Sequence, residues 1–89
     1  MELYIHYTEL PNDLPLTEVV GQLNETLDDT GAVSGGLNKE KGGRIDLELE
    51  DERVNPKYAQ MAVKAYLQRA GFARDTVIEI GGMEIGLYE

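Results

Sequence analysis

A chain of 89 residues has room for one domain whose core buries roughly 60–65% of the unfolded surface, and little room for a deep cleft with many catalytic groups. It contains no cysteine, which excludes disulfides, thiolate zinc sites, iron–sulfur clusters and a cysteine nucleophile. Seventeen acids against eight bases give a net charge of −9. That charge repels nucleic-acid phosphates and anionic membranes, and it favours a basic protein partner or cations; plain solubility is the bland alternative.

The first residues read directly as a strand. Leu3, Ile5 and Tyr7 alternate with Tyr4, His6 and Thr8 over 2–8, so one set is expected in the core and the other outside. No basic and apolar leader precedes them, and no run approaches the ~20 apolar residues of a membrane span. With the absence of cysteine, this leads to the expectation of a cytoplasmic protein. Two prolines punctuate a loop over 10–15. Leu16, Val19, Val20, Leu23 and Leu27 then form one stripe of an amphipathic helix, expected over 16–30 with Gly31 as a left-handed cap. Asp28 and Asp29 sit at the negative end of its dipole, a mildly unfavourable place.

A second strand is expected over 32–40. Gly35 and Gly36 in its middle signal a bulge or a close backbone approach. A three-residue hairpin over 41–43 sets Leu37 across from Leu47 and Glu40 across from Arg44, an attractive pair. The third strand is the clearest segment of the chain: Ile45, Leu47 and Leu49 alternate with Asp46, Glu48 and Glu50, one apolar face and one acidic face.

After a connection over 52–54, Asn55 and Pro56 open a second helix as N-cap and first helical residue. Its expected buried side is Tyr58, Ala59, Ala62, Val63, Tyr66, Leu67 and Ala70, and Gly71 caps it. Strands over 76–80 and 83–88 flank Gly81 and Gly82, a tight hairpin. A two-residue loop sets Ile80 against Met83, Ile78 against Ile85 and Glu79 against Glu84.

The order βαββαβ plus one strand resembles a ferredoxin-like two-layer α+β sandwich with an extra C-terminal strand, a single domain over 1–89 with an antiparallel sheet and two helices on one face. The likeness is one of element pattern. Metal-carrying members of that fold use a Cys-x-x-Cys loop, and this chain has no cysteine. RNA-binding members carry aromatic and basic residues on the central strands, where Ile45-Asp46-Leu47-Glu48-Leu49-Glu50 has the wrong sign. Acylphosphatase-like members carry an arginine in the loop after the first strand, which here is Glu9-Leu10-Pro11-Asn12-Asp13, acidic and proline-broken. No glycine pair makes a phosphate-binding loop either.

Such a fold leaves one sheet face open. Alternation assigns Tyr4, His6, Asp46, Glu48, Glu50, Glu79 and Glu84 to it. The carboxylates lie about 6–7 Å apart along a strand, too far to chelate one ion alone, and no metal or other cofactor is expected. The reading that follows is a non-enzymatic protein-interaction domain, in its sharper form an inhibitor or immunity-type protein neutralising a basic partner. Its rivals are a small enzyme or ligand- or metal-binding domain using His6 and the acidic face, and a subunit or regulatory module of a larger assembly. A second surface is the glycine-rich strand edge at Gly35 and Gly36, open to a strand from a partner or from another copy of the chain.

Overall fold

A computed structural model describes residues 1–11, 14–39, 42–53 and 55–88. The elements are β1 (Glu2–Tyr7), α1 (Leu16–Leu27), a 3₁₀ turn (Asp28–Thr30), β2 (Gly31–Lys39), β3 (Gly42–Leu49), α2 (Pro56–Ala70), β4 (Val77–Ile80) and β5 (Met83–Gly86). The strands form one sheet in the order β2-β3-β1-β4-β5, every neighbouring pair antiparallel. Both helices send their apolar stripes into a single core with one face of that sheet. The result is a two-layer α+β sandwich.

Period-two patterning sets the inner face. Leu3 and Ile5 of β1, Ile45, Leu47 and Leu49 of β3, and Ile78 of β4 are each no more than 2% exposed. Against them pack Val19, Leu23 and Leu27 of α1, at i, i+4 and i+8, and Ala59, Val63, Tyr66 and Leu67 of α2, at i, i+4, i+7 and i+8, one stripe of each helix. Tyr58, expected inside, is 69% exposed instead. It lies in the first turn of α2, one position before Ala59, and the stripe passes through Ala59 and Val63.

The helix ends follow local chemistry. The Asn55 side chain accepts from the Lys57 N–H at 3.0 Å, with Pro56 as first helical residue. Gly71 takes the left-handed cap position. The Gly71 N–H donates to the Gln68 carbonyl and the Phe72 N–H to the Leu67 carbonyl, a Schellman pair that brings Phe72 down into the core beside Leu67. At the end of α1 the expectation fails. The α-helix stops at Leu27, and the positive φ falls on Asp28 (51°). Gly31, with φ 167°, is ordinary extended backbone that starts β2.

The β2–β3 register also differs from the expected one. Leu37 faces Arg44, and Val33 rather than Leu37 faces Leu47. Glu40 and Lys41 lie outside the described residues. The reason is twofold. Gly42 and Gly43 are part of β3, paired with Lys39 and Asn38. In addition, a bulge between Val33 and Gly35 inserts one residue and so exchanges the faces of everything after it. Leu37 is thereby turned to the open face, where it is 51% exposed. The bulge falls where the glycine pair signalled it. A Cβ on Gly36 would stand 2.4 Å from the Arg44 carbonyl oxygen, with φ at +153°, so only glycine fits there.

The β4–β5 hairpin has the expected register: Ile80 faces Met83, Ile78 faces Ile85 and Glu79 faces Glu84. β5 ends at Gly86 rather than Tyr88. The chain then folds back onto α2, with the Gln68 side chain donating to the Leu87 carbonyl at 2.7 Å and the Tyr88 hydroxyl donating to the Phe72 carbonyl at 3.0 Å. Leu87 is fully buried.

Two phenols are built into this frame. Tyr7 donates to Asn38 Oδ1 and Tyr66 to Gln22 Oε1, each at 2.7 Å. Burial disfavours their anions and raises both pKa values above the ordinary 10.0. A phenol whose folded-state pKa is raised supports the fold fully below pH 10, and that support is lost as pH rises through the folded-state value. Alkaline unfolding is therefore expected above pH 10, together with a phenolate absorbance step that Tyr7→Phe and Tyr66→Phe each diminish. If absorbance and circular dichroism showed the two variants titrating like the parent, these phenols would not be the groups responsible.

Candidate functional site

The strand order lays the outer face out in rows. Gly35, Asp46, Tyr4, Glu79 and Glu84 form one row across all five strands. Leu37, Arg44, His6, Val77 and Gly86 form the next. Glu2 and Glu48 face each other beyond the first row. Six of the seven residues assigned to this face by alternation are thus brought onto it: Tyr4, His6, Asp46, Glu48, Glu79 and Glu84.

Glu50 is not. It lies past the end of β3, and its carboxylate turns back to accept from the backbone N–H groups of Glu52 and Arg53, each at 3.3 Å. Arg53 Nε lies 3.6 Å from the same carboxylate. The period-two pattern runs on through Glu50, but pairing has stopped on one side and the side chain serves the turn.

The charges on the face are partly matched. Arg44 donates to both oxygens of Asp46, at 2.6 and 3.1 Å, and its guanidinium stands 5.5 Å from the centroid of the Tyr4 ring. The carboxylate raises the arginine pKa further above its ordinary range. The Tyr4 hydroxyl donates to Glu2, and that bond raises the phenol pKa. His6 Nε2 is 2.9 Å from Glu79 Oε1. Exposed pairs of this kind contribute about 0–1 kcal/mol each, so folding does not require these charges. Arg44, expected across from Glu40, is not among the residues assigned to this face; the observed register sets it against His6 and Leu37.

A second feature lies at one end of the sheet. A shallow concavity of about 450 Å³ is lined by Asp29, Glu48, Glu50, Asp51 and Glu52, with Gly31, Ala32 and Leu49 as its apolar floor. The Met1 amino group lies beside two of these acids, 3.1 Å from Glu48 Oε1 and 3.6 Å from Asp51 Oδ2. Asp29, Asp51 and Glu52 were not singled out as site residues. Their signals were present in Asp29 at the unfavourable end of α1 and in the acidic run continuing past Leu49.

What this surface can do chemically is narrow. Among the described residues no group of three or more His, Asp or Glu side chains is arranged to hold a metal ion. His6 has a carboxylate beside it, as a general base needs. The neighbouring hydroxyls are engaged elsewhere, Tyr4 with Glu2 and Thr8 with Asp75. No helix among the described residues is long and apolar enough to cross a membrane. No family model, curated protein or solved structure matches the chain.

Proposed function

We propose that the chain is a small non-enzymatic protein-interaction domain that captures a basic protein partner in the cytoplasm, in its sharper form by inhibitor or immunity-type neutralisation. The capture surface is the open sheet face together with the acidic concavity at its end. One observation carries this reading: five carboxylates, those of Asp29, Glu48, Glu50, Asp51 and Glu52, line one concavity in a chain of net charge −9. An acidic depression beside an acidic sheet face concentrates field lines and steers a basic partner to one place. The Coulombic cost of crowding these acids has no compensating role in the core.

A ferredoxin-like topology is part of the proposal. It is supported by the run β4-β1-β3-β2 with antiparallel neighbours; β5 then extends the sheet beyond β4. Helices on one face of such a sheet leave the other free for a partner.

The His6–Glu79 contact favours a second reading, general-base catalysis. The interaction reading is preferred because His6 stands on an open strand face, 42% exposed, where water screens the pair and no hydroxyl among the described residues is bonded to it. The test is affinity capture from extracts of the cells that make the chain, with parent protein and a Glu48→Gln/Asp51→Asn/Glu52→Gln variant side by side. The expected result is a basic protein retained by the parent and lost from the variant. Equal retention on both would remove the acidic concavity from the account.

A further inference from the structure

β2 is an edge strand, paired only with β3, and residues 31–38 carry no charged side chain. Natural edges are commonly protected by charge, proline or cover. Here the protection is partial. At the start of β2 the Asn24 side chain accepts from the Val33 N–H at 2.8 Å, so α1 closes the edge there. Beyond the bulge the edge is uncovered. Alternation along an antiparallel strand directs the N–H and C=O groups of Gly36 and Asn38 outward, and among the described residues no backbone hydrogen bond reaches them from outside the sheet.

Beside this free edge is an apolar cleft of about 390 Å³ between α1 and β2. Leu16, Val20, Val33 and Ile45 line it on the helix side, and it reaches round the strand edge to Leu37 and Arg44 of the open face. The same strand leads to the acidic concavity, whose floor includes Gly31 and Ala32. Cleft and concavity are thus two ends of one strand.

We infer that β2 accepts an extended segment of the basic partner as an added strand, paired to the Gly36 and Asn38 backbone, with an apolar side chain of that segment in the Leu16/Val20/Val33 cleft. This rests on the protein-interaction reading and names the partner's chemistry: a strand alternating basic and aliphatic residues. Main-chain bonds supply affinity and the cleft supplies selectivity, as in strand addition generally. A second copy is the poorer occupant. Each copy brings a charge of −9, and association would set two like-charged concavities near a shared edge.

The test uses two synthetic pentapeptides with blocked ends and equal charge, Lys-Ile-Lys-Ile-Lys and Lys-Gly-Lys-Gly-Lys, titrated into the full chain by NMR. The isoleucine peptide is expected to bind at least about tenfold tighter, the scale set by burying one aliphatic side chain, and to slow amide exchange at Gly36 and Asn38. Val20→Glu is expected to abolish that preference. Because the added negative charge attracts both peptides, a loss reports the blocked cleft and not electrostatics. Leu37→Ser, at an exposed position, repeats the test without risk to the core. Equal, salt-sensitive binding of both peptides without protection at Gly36 and Asn38 would overturn strand addition and leave acidic capture standing. Failure of both peptides to bind would remove both ideas. A dimer in the absence of peptide, with those two amides protected, would give the edge to a second copy.

Discussion

Leu47→Ala is expected to lower the unfolding free energy by about 2–5 kcal/mol, the range for truncating a large aliphatic side chain in a close-packed interior. Leu47 is fully buried. It lies on β3 between Leu3 of β1 and Val33 of β2. A domain of 89 residues has a total stability of roughly 4–13 kcal/mol, so the variant loses a large share of it. Urea melts with unchanged slope and a lower midpoint are the expected record. A change below about 1 kcal/mol would mean that the two faces of β3 have been assigned the wrong way round.

Gly42→Ala is expected to be comparably severe, roughly 2–4 kcal/mol, for a different reason. Its φ is +97°, and a Cβ there would stand 2.3 Å from the Tyr7 carbonyl oxygen and 2.7 Å from Thr8 Cα. An L-residue at left-handed backbone costs about 1–2 kcal/mol, and forcing atoms into a packed site typically adds 1–3. All the close atoms are backbone, so relief requires β1 and β3 to separate where they meet. Gly35→Ala is the control: the nearest atom to its Cβ is Asp46 Oδ2 at 4.0 Å, and its stability is expected within about 0.5 kcal/mol of the parent. Similar thermal midpoints for both variants would show that the β1–β3 contact at Gly42 is looser than described.

The parts of this fold that were legible in the sequence are those where local pattern and tertiary role coincide. The alternation Ile45-Asp46-Leu47-Glu48-Leu49 names its own inner face, because a half-buried strand has a period of two. Gly81-Gly82 names its hairpin, since only a two-residue loop pairs the flanking isoleucines with apolar partners. Asn55-Pro56 and Gly71 name the ends of α2 by capping chemistry. The misreadings lie where one inserted residue or one long-range contact decides. Ser34 inserted at the bulge exchanges the faces of β2, and no local rule fixes on which side of Gly35 the extra residue falls. Gly42 and Gly43 read as a turn, yet they are needed inside β3 by the closeness of Tyr7 and Leu37. Phe72 and Leu87 carry core positions that no periodicity marked, though the Gly71-Phe72 pair is the apolar ending a Schellman cap uses.

The candidate surface divides in the same way. Strand alternation places Tyr4, His6, Asp46, Glu48, Glu79 and Glu84 on the outer face, because it depends on β1, β3, β4 and the β4–β5 hairpin and not on the bulged β2. Arg44 also belongs to this face by β3 alternation with Asp46, a step missed because the strand's pattern reads as starting at Ile45; the concavity is missed because Asp29 and Asp51 are far apart in the chain. Only folding brings them together.

On the proposed function, the carboxylates at the end of the sheet capture a basic partner electrostatically. Stopped-flow association with a fluorescent lysine-rich peptide, at two ionic strengths, tests it most directly. In the Glu48→Gln/Asp51→Asn/Glu52→Gln variant the association rate is expected to fall about tenfold or more at low salt and to lose most of its salt dependence. Arg44→Gln, which removes positive charge from the adjoining face, is expected to quicken association while changing stability by no more than about 1 kcal/mol. Opposite shifts in the two variants, both fading at high salt, are the signature of a steering surface. Association rates that are the same in parent and both variants at low salt would contradict the claim and reduce these acids to a solvated surface.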